Sequence, residues 1–110
     1  MPEEADGFTV ELQLNGVPGR QVGELHLVGE LDAFAASRFD AAVEDAAARG
    51  SLALVVDLGA VTFIDSSGLR SLVRARRRFD RPDAFVLHNP QPVAIRLLEI
   101  TGLEAEFPIR

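Results

Sequence analysis

The chain has 110 residues, 47% of them hydrophobic and 25% charged, with 11 basic and 17 acidic side chains for a formal charge of -6. A domain of this length buries roughly two-thirds of the surface its unfolded chain exposes, so it can build a core of its own. With no apolar run near the ~18 residues of a membrane span, it reads as one soluble globular domain with no membrane span, and its acid excess argues against direct nucleic-acid binding.

All eleven basic residues are Arg, and the chain contains no Lys, Cys, Trp or Tyr. That excludes a phosphate-loop lysine, a Schiff base, a thiol nucleophile, a disulfide framework and thiolate metal sites. His26 and His88 are the two imidazoles. The start Met1–Gly7 carries neither a basic region nor an apolar segment that would direct export, so a cytoplasmic location is expected.

In chain order, residues 1–7 are acidic and punctuated by Pro and Gly, which predicts a flexible N-terminal tail ahead of a domain spanning 8–110. Phe8, Val10, Leu12 and Leu14 alternate with polar residues, the period of a half-buried strand. Past the turn formers of Asn15–Arg20, alternation resumes over 22–28 and predicts an antiparallel hairpin. Between Phe34 and Arg49, Ala35, Ala36, Phe39, Ala42, Val43, Ala46 and Ala47 recur at helical spacing up to Gly50. Ser51–Leu58 is a nearly continuous apolar run, expected of a central strand covered on both faces.

Beyond Gly59, Asp65-Ser66-Ser67-Gly68 precedes a second helix marked by Leu69, Leu72, Val73 and Phe79, for which Asp or Ser suits the cap. Arg70, Arg74, Arg77, Arg78 and Arg81 share its other side as a solvated basic stripe. Ala84–Leu87 reads as a short buried strand, and a third helix runs from Pro92 to Gly102. The segment 103–110 allows a last short strand or a packed extension. Phe39, Phe63, Phe79 and Phe85 fall at core positions. The element order predicts an α/β fold, a mixed sheet with helices packed on it, whose later strands are parallel and end on one edge.

That topology brings Gly29–Asp32, Asp65–Gly68 and His88-Asn89 to the same edge. One reading of Ser66 and Ser67 is plain helix capping, worth ~1 kcal/mol. Another makes one of them a phosphate acceptor, because a helix start offers free N–H groups and a positive dipole end. A third is a serine hydrolase using Ser66 or Ser67, His88 or His26, and Asp32 or Asp65. Against it, a nucleophile elbow would read G-x-S-x-G where this chain has Ile64-Asp-Ser-Ser-Gly68. Glu30, Asp32 and Asp65 are too scattered to define a cation site, so no metal or cofactor is expected.

The combination Gly29-Glu-Leu-Asp32, Val55-Val-Asp-Leu58, Val61-Thr-Phe-Ile-Asp-Ser-Ser-Gly-Leu69 and Leu97-Leu-Glu-Ile-Thr-Gly-Leu103 resembles STAS domains, and among them the bacterial anti-sigma factor antagonists (anti-anti-sigma factors). The resemblance implies a STAS-like single domain that is a non-enzymatic transcription regulator acting by partner switching. In that family the unphosphorylated antagonist binds an anti-sigma factor that is also a serine kinase, and so frees a sigma factor. Phosphorylation by that kinase breaks the complex and a serine phosphatase resets it.

The family's acceptor corresponds to Ser66, with Ser67 as the alternative, and its partner-binding positions to Glu30, Asp32, Asp65, Ser66, Ser67, Gly68 and Leu69. A monomer or weak dimer is expected. A stressosome-type scaffold or a lipid-transport accessory subunit is the neighbouring reading within the same fold. The chain departs from the pattern at Arg70, where many relatives carry a small residue, and in stopping soon after Leu103, where some members have a further helix.

Overall fold

The computed structural model describes residues 3–5 as backbone and 7–110 in full. Five strands form one sheet in chain order: β1 (Glu3–Ala5), β2 (Phe8–Asn15), β3 (Gln21–Leu31), β4 (Ser51–Ile64) and β5 (Phe85–His88). Helices α1 (Ala33–Ala48) and α2 (Ser66–Arg78) connect the last three strands, and α3 (Pro92–Thr101) with a 3-10 turn (Glu104–Glu106) follows β5. β2 and β3 form the expected antiparallel hairpin, and β3, β4 and β5 run parallel.

The hydrophobic pattern explains why the helices occupy one side. Leu25, Leu27, Leu54, Val56, Leu58 and Leu87 are at most 2% exposed and meet Phe39, Leu72 and Leu98 from the three helices in one continuous core. The opposite sheet face carries a row in register, Glu11, His26, Asp57 and His88. There His26 lies 3.5 Å from the Glu24 carboxylate and 3.4 Å from that of Asp57, and is 39% exposed. The second face of β4 is thus half-buried and polar in part, rather than covered as the apolar run suggested.

Three further expectations change. Within the segment read as a tail, Glu3–Ala5 pairs antiparallel with Phe8–Val10, because the free edge of β2 offers backbone groups that a short strand satisfies. Residues 1, 2 and 6 of that expectation lie outside the described residues. β4 does not stop near Gly59 but continues to Ile64 alongside β3, through register shifts between His26 and Val28 and between Gly29 and Glu30. Those irregularities break the alternation, so the buried positions become Leu58, Val61 and Ile64 while Phe63, expected in the core, is 45% exposed.

The terminal segment combines both forms anticipated for it. Phe107 enters the core, its ring 5.9 Å from that of Phe85, and Ile109 makes a single parallel bridge to Leu87 outside β5. On α2 the arginine stripe is only partly solvated, since Arg74 reaches Asp40 of α1 at 2.7 Å and Arg78 reaches Glu44 at 3.1 Å. Such exposed pairs each contribute about 0–1 kcal/mol and serve mainly to orient α2 along α1.

Two glycines set the upper edge of the sheet. Gly29 has φ +112°, and a Cβ there would run into the carbonyl of Gly7 at the start of β2. A Cβ on Gly68 would collide with the Leu31 carbonyl oxygen and crowd Ile64 Cγ2 at 3.1 Å, so only glycine lets the first turn of α2 sit against the end of β3. We therefore expect Gly68→Ala to lower the unfolding free energy by about 1–3 kcal/mol in urea titrations, and an unchanged midpoint would contradict this packing.

Candidate functional site

β3 and β4 end side by side, with Leu31 and Ile64 in register, and the Asp65 N–H donates to the Leu31 carbonyl at 3.3 Å. Each strand then turns directly into a helix through an aspartate. Asp32 Oδ1 accepts from the Ala35 N–H at 3.0 Å and caps α1, and Asp65 Oδ1 accepts from the Gly68 N–H at 2.9 Å and caps α2. Both caps have extended backbone angles, the geometry that aims a short carboxylate at the free N–H groups of a first turn. Two helix starts, each with a positive dipole end, thus stand next to one another.

This assignment settles which residue caps α2. Because Asp65 does so, Ser66 is the first helical residue, exposed, and its hydroxyl makes no hydrogen bond among the described residues. Ser67 is half-buried, whereas Gly68 and Leu69 are buried and support the surface from beneath. Asp32 and Asp65 are half-buried and Glu30 is exposed opposite Phe63 in the strand pairing. Glu30, Asp32, Asp65, Ser66 and Ser67 therefore gather at one sheet edge.

His88-Asn89 does not join them. In β5, His88 pairs with Asp57, and β4 runs on to Ile64, which puts the imidazole on the order of 20 Å from the start of α2 at ~3.3 Å per strand residue. Its Nδ1 lies 2.8 Å from the Arg110 carbonyl, while Gln91 Nε2 donates to the Gly59 carbonyl at 2.7 Å. The expectation of convergence assumed that β4 ended near Gly59. His26 is likewise level with Asp57 rather than with Ser66. No Ser-His-Asp arrangement is assembled around Ser66, since both imidazoles are remote and both aspartates are engaged as caps. Among the described residues, no group of three or more His, Asp or Glu side chains is placed to hold a metal ion.

Two side chains unanticipated at the site flank it. Phe34, in the first turn of α1, is 76% exposed, and Phe63 stands three residues before Ser66. Phe34 was detectable, because it falls outside the Ala35, Ala36, Phe39, Val43 and Ala46 stripe that α1 buries. Phe63 was not, because the strand irregularities that expose it leave no mark in the pattern. The edge accordingly presents an exposed hydroxyl and carboxylates, with exposed aromatic side chains on the adjoining first turn of α1 and end of β4.

A mixed sheet with three helices, and an Asp-Ser-Ser-Gly turn where β4 passes into α2, defines a small α/β domain. The chain belongs to the STAS domain family, whose model matches residues 13–110, and within it to the anti-sigma factor antagonists. It is 33% identical over 88 residues to the anti-sigma-B factor antagonist of Listeria monocytogenes, covering 79% of this chain and 77% of that one. Identity is 30% over 103 residues to the anti-sigma-F factor antagonist RsfB of Mycobacterium tuberculosis, covering 93% and 80%. The crystal structure of an anti-sigma factor antagonist from Mycobacterium paratuberculosis superposes with a TM-score of 0.74 at 28% identity, covering 91% of this chain and 84% of that one. Among the described residues, no helix is long and apolar enough to cross a membrane.

The capping assignment yields a direct comparison. Asp65→Ala should cost about 1 kcal/mol of stability, whereas Ser66→Ala should stay within ~0.5 kcal/mol of the parent. Equal losses in chemical denaturation would contradict the assignment.

Proposed function

We propose that this chain is a non-enzymatic anti-sigma factor antagonist that works by partner switching in the bacterial cytoplasm, with Ser66 as the phosphate acceptor. The observation that carries this reading is the exposed, uncapped Ser66 hydroxyl at the first position of α2. Membership among the anti-sigma factor antagonists supports the partner class. Unphosphorylated, the edge formed by Glu30, Asp32, Asp65, Ser66 and Ser67, set on Gly68 and Leu69, docks an anti-sigma factor and frees the sigma factor it held.

The anti-sigma factor is in this reading also the kinase. Ser66 Oγ attacks the γ-phosphorus of ATP held by the partner, the hydroxyl proton passes to a base on that partner, and ADP leaves. A serine phosphatase later hydrolyses the ester with water, restoring the hydroxyl and releasing inorganic phosphate.

Magnitudes favour an effect on binding rather than on folding. Phosphate adds about -1.5 to -2 charge, and a helix start stabilises an anion by ~0.3–1 kcal/mol, so the exposed first turn tolerates the group. Enclosing the same charge under a docked protein, beside three carboxylates, costs several kcal/mol unless it is paired. The apolar anchor of the docked state is Phe34, the most exposed large hydrophobic side chain among the described residues.

Ser66→Glu should leave the thermal midpoint within a few degrees yet weaken anti-sigma binding ~100-fold, about 2.7 kcal/mol. Ser66→Ala should bind normally and resist inactivation by the kinase and ATP. Calorimetric titration of both variants tests the reading, and undiminished affinity of Ser66→Glu would remove it. If phosphopeptide mapping places the phosphate on Ser67, the switch remains and the acceptor moves by one residue. Phe34→Ala should weaken the same complex ~10-fold, about 1.4 kcal/mol, with the melting curve unchanged. An unaltered affinity would take Phe34 out of the interface.

A further inference from the structure

Arg70 stands four residues beyond Ser66 on α2, and both side chains are exposed. Residues at this spacing lie on one face with Cβ atoms ~5–6 Å apart. Helical side chains lean toward the N-terminus, and the arginine arm at residue 70 is long enough to span the distance to residue 66.

Among the other arginines of α2, Arg74 is held by Asp40 at 2.7 Å, Arg76 donates to the Glu106 carbonyl at 2.8 Å, and Arg78 is held by Glu44 at 3.1 Å. Arg70 and Arg77 have no hydrogen bond or ion pair among the described residues, and of these two Arg70 alone lies within one turn of Ser66. The side chains nearest it along the edge in chain position are acids: Asp65 capping its helix, Asp32 capping α1 and Glu30 near the end of β3. In the unmodified chain the acceptor is thus a neutral hydroxyl on an edge that carries three carboxylates, with one uncommitted cation a turn further along its helix.

Resting on the reading of Ser66 as the acceptor, we infer that Arg70 is the intrachain charge partner of phosphorylated Ser66. Its guanidinium, which is planar and remains charged, donates to the phosphate oxygens and holds the group against the first turn of α2. The phosphate is then partly neutralised by its own chain instead of being left for a partner to compensate. The same pairing opposes the three carboxylates, which by themselves favour the less charged phosphate.

The test uses the full chain with phosphoserine installed at position 66 during translation, so that no kinase is required. The phosphorus NMR shift is titrated against pH for three chains: the parent, Arg70→Gln and Arg70→Lys. In Arg70→Gln the second ionisation of the phosphate should move upward by about 0.3 unit. Arg70→Lys should retain most of the parental value, and the difference should shrink at high salt. Coincident curves for the parent and Arg70→Gln would overturn the pairing while leaving the switch intact. Undiminished anti-sigma binding by the phosphorylated parent would instead overturn the switch, and with it the role given to Arg70.

Discussion

Everything at the upper edge of this domain depends on how closely the start of α2 approaches the end of β3. The Asp65 N–H bonds the Leu31 carbonyl, the Asp65 carboxylate folds forward onto the Gly68 N–H, and Gly68 leaves room for the same carbonyl. One backbone oxygen is thereby a packing surface and a hydrogen-bond acceptor at once. The constraint locks the first turn of α2 to the strand pair, and it leaves Ser66 on the rim with its hydroxyl uncommitted.

The division of labour between adjacent residues follows from side-chain chemistry. Aspartate is short and charged, so it satisfies the helix start from outside the helix. Serine one position later is already inside the helix and faces solvent with its hydroxyl uncommitted. A domain assembled this way can change the charge at its rim without changing its core, because the residues that hold the turn are not the residue that carries the hydroxyl. Partner switching under the proposed function draws on that separation: the scaffold stays folded in both states and only the rim differs.

Elements with strict periodicity were legible in advance. The alternation of Phe8–Leu14 and Val22–Val28 specified the hairpin, the Ala35 to Ala47 stripe specified α1, and the bounds of α3 followed from Pro92 and Gly102. The Asp-Ser-Ser-Gly turn marked the helix start and its family. What escaped notice depended on interactions between distant segments. Glu3–Ala5 becomes a strand only because β2 offers an edge, and three residues carry too little pattern to announce it. The irregular pairing of β3 with β4 lengthens β4, exposes Phe63 and removes His88 from the edge, yet in sequence Gly59 looks like a strand end. The site was accordingly legible in its polar half, the aspartates and serines, and incomplete in its aromatic half.

Under the proposed function, a doubly charged group on Ser66 expels the anti-sigma factor while the domain beneath it is unaltered. The most direct measurement takes the chain stoichiometrically phosphorylated by its own anti-sigma partner, purifies it, and determines on one sample both its affinity for that partner without nucleotide and its amide NMR spectrum. Affinity should fall by two orders of magnitude or more, with chemical shift changes confined to the residues around the start of α2. An affinity equal to that of the unmodified chain, or a spectrum altered throughout the core, would contradict it.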